Sequence, residues 1–178
     1  YRHPMAIRIP RGAGTGVTMD AEVHELPIGK GLVLRHGADV TIFALGKTVQ
    51  PALDAAAMLD RQGISCLVVN ARFAKPIDRE LVVRTAQATG RVVTVEENVR
   101  DGGFGSAVLE ALSEAGVTGV RTIRLGMPDD FVEHATAAQQ RQQLGLDAEG
   151  IARSVREAFF PPTASAAAGA VAGRPARG

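Results

Sequence analysis

The sequence predicts an α/β domain with a mostly parallel five-stranded sheet, helices on both faces and one antiparallel edge strand. Three observations predict it. Unbroken β-branched runs such as Val92-Val93-Thr94-Val95 suit central strands covered on both sides. From Ser65 onward, short apolar runs alternate with longer segments of helical periodicity, the pattern of right-handed crossovers between parallel strands. Two strand-like runs near the start flank Gly37, which reads as a hairpin and supplies the antiparallel edge.

The elements follow in order. Met5-Ala6-Ile7-Arg8-Ile9 reads as a short strand stopped by Pro10. Residues 10–27 hold glycines, polar residues and Pro27, and read as a linker. Leu32–Arg35 and Val40–Leu45 are strands. Thr48–Gln62 is a helix, with Pro51 tolerated in its first turn and Gly63 as its stop. Ser65–Val69 is a strand. Asp78–Thr89 is a helix capped near Ile77 or Asp78 and closed by Gly90, and Arg91–Val95 is the next strand. Gly105–Ala115 is a helix, Val120–Leu125 a strand, and Thr136–Leu144 and Asp147–Phe159 are helices separated by Gly145. The domain organisation expected is 1–12 as the end of a preceding domain, 13–27 as linker, 28–160 as the α/β domain and 161–178 as a disordered tail. The tail is rich in Ala, Gly and Pro, with too few bulky apolar groups to offset its ordering entropy. The chain opens without Met, close to an apolar run, and both ends read as fragment ends.

Composition narrows the function. A formal charge of +1, with Lys and Arg scattered, gives no reason to expect nucleic acid or an anionic membrane as partner. The single cysteine, Cys66, excludes an internal disulfide framework and a multi-cysteine zinc site, and its apolar neighbours mark it as a core residue. No apolar stretch is long enough to span a membrane, and Tyr1-Arg2-His3-Pro4 lacks a signal-peptide pattern, so a cytoplasmic location is expected.

Ligands of open α/β sheets sit beyond the carboxyl ends of the strands. Three such ends are rich in polar residues. In Arg8-Ile9-Pro10-Arg11-Gly12, Pro10 and Gly12 fix the base of Arg11 and leave a guanidinium fork suited to phosphate; a solvated linker arginine is the alternative. In Asn70–Asp78, Arg72 and Lys75 allow phosphate binding, while Asp78 as a helix cap with Arg72 as its partner is the structural alternative. Glu96-Glu97-Asn98, followed by Asp101–Ser106, suggests acid–base work, a metal or a phosphate cradle. Neither a P-loop nor a dinucleotide fingerprint is present there, and the structural alternative has the glycines seating a helix tightly while the acids bond backbone donors or a neighbouring chain. Of the four histidines, only His134 lies in a polar, loop-like cluster after a strand. The residues by themselves reach an α/β domain with a candidate anion site at Arg11 and do not name a reaction.

The ordered motifs add a resemblance. Ala6–Gly12 resembles R-Y-P-R-G with Ile9 where an aromatic residue is usual, and Pro27–Gly31 resembles P-I-G-K-G. Val69–Asp78 resembles V-N-A-R-F-x-K-P-x-D, and Thr94–Asn98 with Gly102–Ser106 resembles V-T-V-E-E-N…G-G-F-G-S. Leu125–Asp129 with Phe131, and Leu144–Ile151, complete the set. From about residue 5 to residue 160 the chain resembles the C-terminal portion of the 1-deoxy-D-xylulose-5-phosphate synthase family, with transketolase or a 2-oxo-acid dehydrogenase β subunit as the neighbouring possibility. The resemblance implies a homodimeric, three-domain transferase that condenses pyruvate with glyceraldehyde 3-phosphate in non-mevalonate isoprenoid synthesis. It implies that thiamine diphosphate and magnesium are bound by upstream domains, so that this stretch has no catalytic, cofactor or metal residue and is inactive alone. It carries over one functional residue, Arg11, as a ligand of the acceptor's phosphate; Arg8, Arg72 and His134 are secondary candidates, Arg8 rather as an ion-pair partner.

Overall fold

A computed structural model describes residues 2–9, 21, 22 and 24–161. The strands are β1 (Leu32–Arg35), β2 (Val40–Ala44), β3 (Cys66–Asn70), β4 (Arg91–Val99) and β5 (Arg121–Met127). The helices are α1 (Val49–Asp60), α2 (Arg79–Thr89), α3 (Phe104–Glu114), α4 (Ala137–Gln143) and α5 (Ala148–Phe159), with a short 3-10 turn at Gly46–Thr48. The five strands form one sheet in the order β1-β3-β2-β4-β5. Strand β1 runs antiparallel to β3, and every other pairing is parallel.

Alternation along the central strands divides the core in two. On one face Val40, Ile42, Ala44, Cys66, Val68, Val93 and Val95 meet α1 and α5 through Ala52, Ala56, Leu59, Ile151 and Val155. On the other, Phe43, Leu67, Val69 and Val92 meet α2 and α3 through Leu81, Val82, Ala86, Val108 and Leu112. Each fully buried Val, Leu, Ile or Phe among them stabilises the fold by about 1.5–3 kcal/mol. The face that α1 turns to the sheet is made mainly of small residues, with Ala52, Ala55 and Ala56 fully buried.

Helix ends follow the sequence signals. Asp78 caps α2 by accepting from the Leu81 N–H at 3.1 Å, Asp147 caps α5 by accepting from Gly150 at 2.9 Å, and Thr136 and Gln139 form a capping box on α4.

Three expectations are corrected. Residues 5–9 are not a strand: they have no paired neighbour among the described residues and are exposed. The alternation is real, but a strand forms only where another edge takes its backbone groups. The pair flanking Gly37 is not a hairpin either, because β3 lies between β1 and β2. Gly37 instead passes over the start of β3, where a Cβ would come within 2.2 Å of the Cys66 carbonyl carbon. The Asp39 N–H donates to the Ser65 carbonyl at 2.8 Å, and the Asp39 carboxylate accepts from the Ser65 N–H at 2.8 Å, fastening this crossing. Strand β4 also runs further than expected, to Val99 rather than Val95, which places Glu96, Glu97 and Asn98 within the strand rather than just beyond its end.

Candidate functional site: the carboxyl ends of the strands

Neighbouring strands β2 and β4 send their connections to opposite faces, to α1 and α3. This is the place where an open α/β sheet usually leaves a ligand crevice. Here the chain's own groups close it. The Leu45 N–H donates to the Val95 carbonyl at 3.0 Å. The buried Thr48 hydroxyl reaches the same carbonyl at 2.9 Å.

Glu96 closes the second opening. Its side chain is buried, and its two carboxylate oxygens accept from the Phe104 and Gly105 N–H groups, each at 2.8 Å. The α3 N-terminus, the natural seat for a phosphate, is therefore filled by a carboxylate. Gly103 makes this possible, since a Cβ there would lie 2.6 Å from one Glu96 oxygen and 2.2 Å from the Val99 carbonyl oxygen. The structural alternative for the glycine-rich loop is the one realised. Glu97 turns outward and pairs with Arg141 on α4 at 2.7 Å.

The loop between β4 and α3 is held by a residue that sequence reasoning passed over. Arg124 donates to the Arg100 carbonyl at 2.8 Å and to the Ser106 hydroxyl at 2.9 Å, and pairs with Asp101 at 3.2 Å. Its guanidinium is spent on the loop. The only sequence clue was an arginine set between Ile123 and Leu125 in the middle of a strand.

The secondary candidates do not converge. Arg8 makes no ion pair among the described residues; it donates to the Glu97 carbonyl at 3.4 Å. Arg72 is not the partner of Asp78. That role belongs to Lys30, 3.5 Å from Asp78 and 3.3 Å from Glu80. Hydrogen bonding to Glu80 and the charge of Asp78 raise the Lys30 pKa above its ordinary value. The Asp78 carboxylate also accepts from the Gly31 N–H at 3.1 Å, so Pro27–Gly31 and Asn70–Asp78 form one structural unit. Arg72 adopts a left-handed backbone with φ 57°, and its N–H donates to the Asn70 side chain at 3.0 Å. His134 is exposed and forms no hydrogen bond or ion pair among the described residues. Arg11, and most of 13–27 and of the tail, lie outside the described residues.

Among the described residues no group of three or more His, Cys, Asp or Glu could hold a metal ion. With the α3 N-terminus occupied, these residues do not fit a diphosphate and its magnesium. No helix of the described residues is long and apolar enough to cross a membrane.

A five-stranded mixed sheet covered by helices on both faces is the fold of the transketolase C-terminal domain, and the chain belongs to that family, whose model matches residues 29–151. Among curated proteins it is 54% identical over 157 residues to 1-deoxy-D-xylulose-5-phosphate synthase 1 of Geobacter sulfurreducens, covering 88% of this chain and 24% of the relative. It is 52% identical over 164 residues to the 1-deoxy-D-xylulose-5-phosphate synthase of Gloeobacter violaceus, covering 92% and 26%. The expected resemblance to the synthase family is borne out, and the chain spans about a quarter of the length of these relatives. A solved split-gene transketolase, described as an inactive β4 tetramer, superposes with a TM-score of 0.71 at 43% identity, covering 76% of this chain and 44% of that one.

Proposed function

We propose that this chain is the C-terminal part of a thiamine-diphosphate-dependent 1-deoxy-D-xylulose-5-phosphate synthase, which joins pyruvate to glyceraldehyde 3-phosphate with loss of carbon dioxide. The observation that carries this reading is identity above 50% to synthases over nearly nine tenths of the chain. Identity of 43% to a split-gene transketolase keeps that enzyme as the neighbouring reading. In this account thiamine diphosphate and magnesium sit in the upstream domains, which the filled crevice and capped α3 support. The domain itself braces the catalytic domains and the homodimer. The description of the split-gene relative as inactive supports inactivity of this part alone.

Arg11 is the one residue assigned to the substrate, as a forked ligand of the glyceraldehyde 3-phosphate phosphate group. In the longer enzyme, Arg11→Ala should mainly raise KM for that substrate. A charge-assisted contact is worth roughly 1.5–3 kcal/mol, so kcat/KM should fall about tenfold or more. Steady-state kinetics varying each substrate separately checks this, and unchanged kinetics for glyceraldehyde 3-phosphate removes Arg11 from the site. Two-carbon transfer between sugar phosphates, with no condensation of pyruvate, would move the assignment to transketolase.

A further inference from the structure

Phe131 is fully exposed at an open depression of about 350 Å³, which it lines with Val99, Pro128, Asp129 and Asp130. The loop that carries it is not loose. The Phe131 N–H donates to the Asp130 carboxylate at 2.7 Å. Gln140 donates to the Glu133 carbonyl at 3.1 Å, and α4, which follows the loop, is tied to β4 through Arg141 and Glu97. A large aromatic side chain held out on a braced loop is the form that interface anchors take.

The segment 2–9 reaches the same end of β4, where Arg8 donates to the Glu97 carbonyl. Its Met5, Ile7 and Ile9 are 57%, 75% and 81% exposed and fall at alternate positions. Two uncovered apolar features therefore lie toward the same end of β4, one beside Glu97 and one beside Val99, in a chain that spans about a quarter of its relatives' length.

We propose that this face, anchored by Phe131, docks the part of the enzyme that precedes this chain. The occupant presents an apolar recess to Phe131 and basic groups to Asp129, Asp130 and Glu133. A second copy of the chain fits less well, since a two-fold contact through this patch would set those acids against themselves. The proposal rests on the reading of the chain as part of a longer enzyme, and not on which reaction that enzyme performs.

Hydrogen exchange read by mass spectrometry tests it, comparing amides of residues 127–135 in this chain and in the longer polypeptide. The expected result is exchange slower by about tenfold or more in the longer protein. Phe131→Asp should remove that protection and Phe131→Leu should largely keep it. Equal rates in the two wild-type proteins overturn the proposal. So does protection that appears in this chain alone as its concentration rises, with a matching dimer in sedimentation, because a second copy is then the occupant. Protection in a longer enzyme that makes no deoxyxylulose phosphate leaves the docking face standing and overturns the synthase reading.

Discussion

Glu96 and Glu97 are adjacent in the sequence and have different jobs. Strand alternation turns Glu96 inward onto two backbone donors of α3 and Glu97 outward onto Arg141. Glu96→Gln keeps the shape but sets an amide N–H₂ against one of those donors. It should cost about 2 kcal/mol or more in urea unfolding, since a buried donor is left unmade. Glu97→Gln, at a half-exposed pair, should cost less than about 1 kcal/mol.

Cys66 has no chemical role in this account. Burial pushes its thiol up to about 12 from an ordinary 9.0, with Asp39 and Asp60 adding to the rise and Arg35 opposing it. The folded chain thus keeps a proton that the unfolded chain releases above pH 9. The contribution is complete below that pH and disappears as pH rises toward about 12, up to about 4 kcal/mol in all. Unfolding curves from pH 8 to 11 should show about two thirds of this loss in the wild type and none of it in Cys66→Ala, and the native thiol should resist a disulfide reagent at pH 8. At this scale the sequence was legible for Cys66, set among apolar neighbours, and for Asp78 as a cap. It was not legible for Lys30, whose partners Asp78 and Glu80 lie about fifty residues away in sequence.

Among the elements, helices and parallel strands were readable because each carries its own period and its own stop. Gly90 is the left-handed cap of α2 at φ 65°, as expected; α1 ends at Asp60, short of the expected Gln62, and Gly63, at φ 78°, turns the chain just beyond it. The order of β1, β3 and β2 was not readable. A glycine between two apolar runs is compatible with a tight turn or with a crossing, and only the close approach to Cys66 decides between them. Gly37→Ala tests that crossing. A Cβ placed 2.2 Å from backbone has no flexible neighbour to displace, so the loss should be about 2–4 kcal/mol, seen as a lower denaturation midpoint at unchanged slope. A midpoint within experimental error of wild type would mean that the chain does not pass over β3 there. Residues 5–9 mark the limit of pattern reading: alternation was present, but the edge needed to make a strand of it is not among the described residues.

For the whole molecule, the features that would make an α/β domain a binding protein are used for its own closure. The crevice between β2 and β4 is fastened by Leu45 and Thr48, the α3 N-terminus holds Glu96, and Arg124 is committed to the loop beside it. The exposed chemistry lies instead at the rim, on Phe131 and on segment 2–9. A domain sealed within and apolar at its rim is suited to bracing a larger enzyme, which is the role proposed for it alongside the proposed phosphate contact of Arg11. The most direct measurement of that claim is deoxyxylulose phosphate formation from pyruvate and glyceraldehyde 3-phosphate, with thiamine diphosphate and magnesium added. The assay is run on this chain alone, its 18.6 kDa mass confirmed, and again after the upstream domains are supplied. The chain alone should form no product, and turnover should appear once the upstream domains are present. Turnover by the 18.6 kDa chain alone would contradict it, as would upstream domains that reach full activity without this chain.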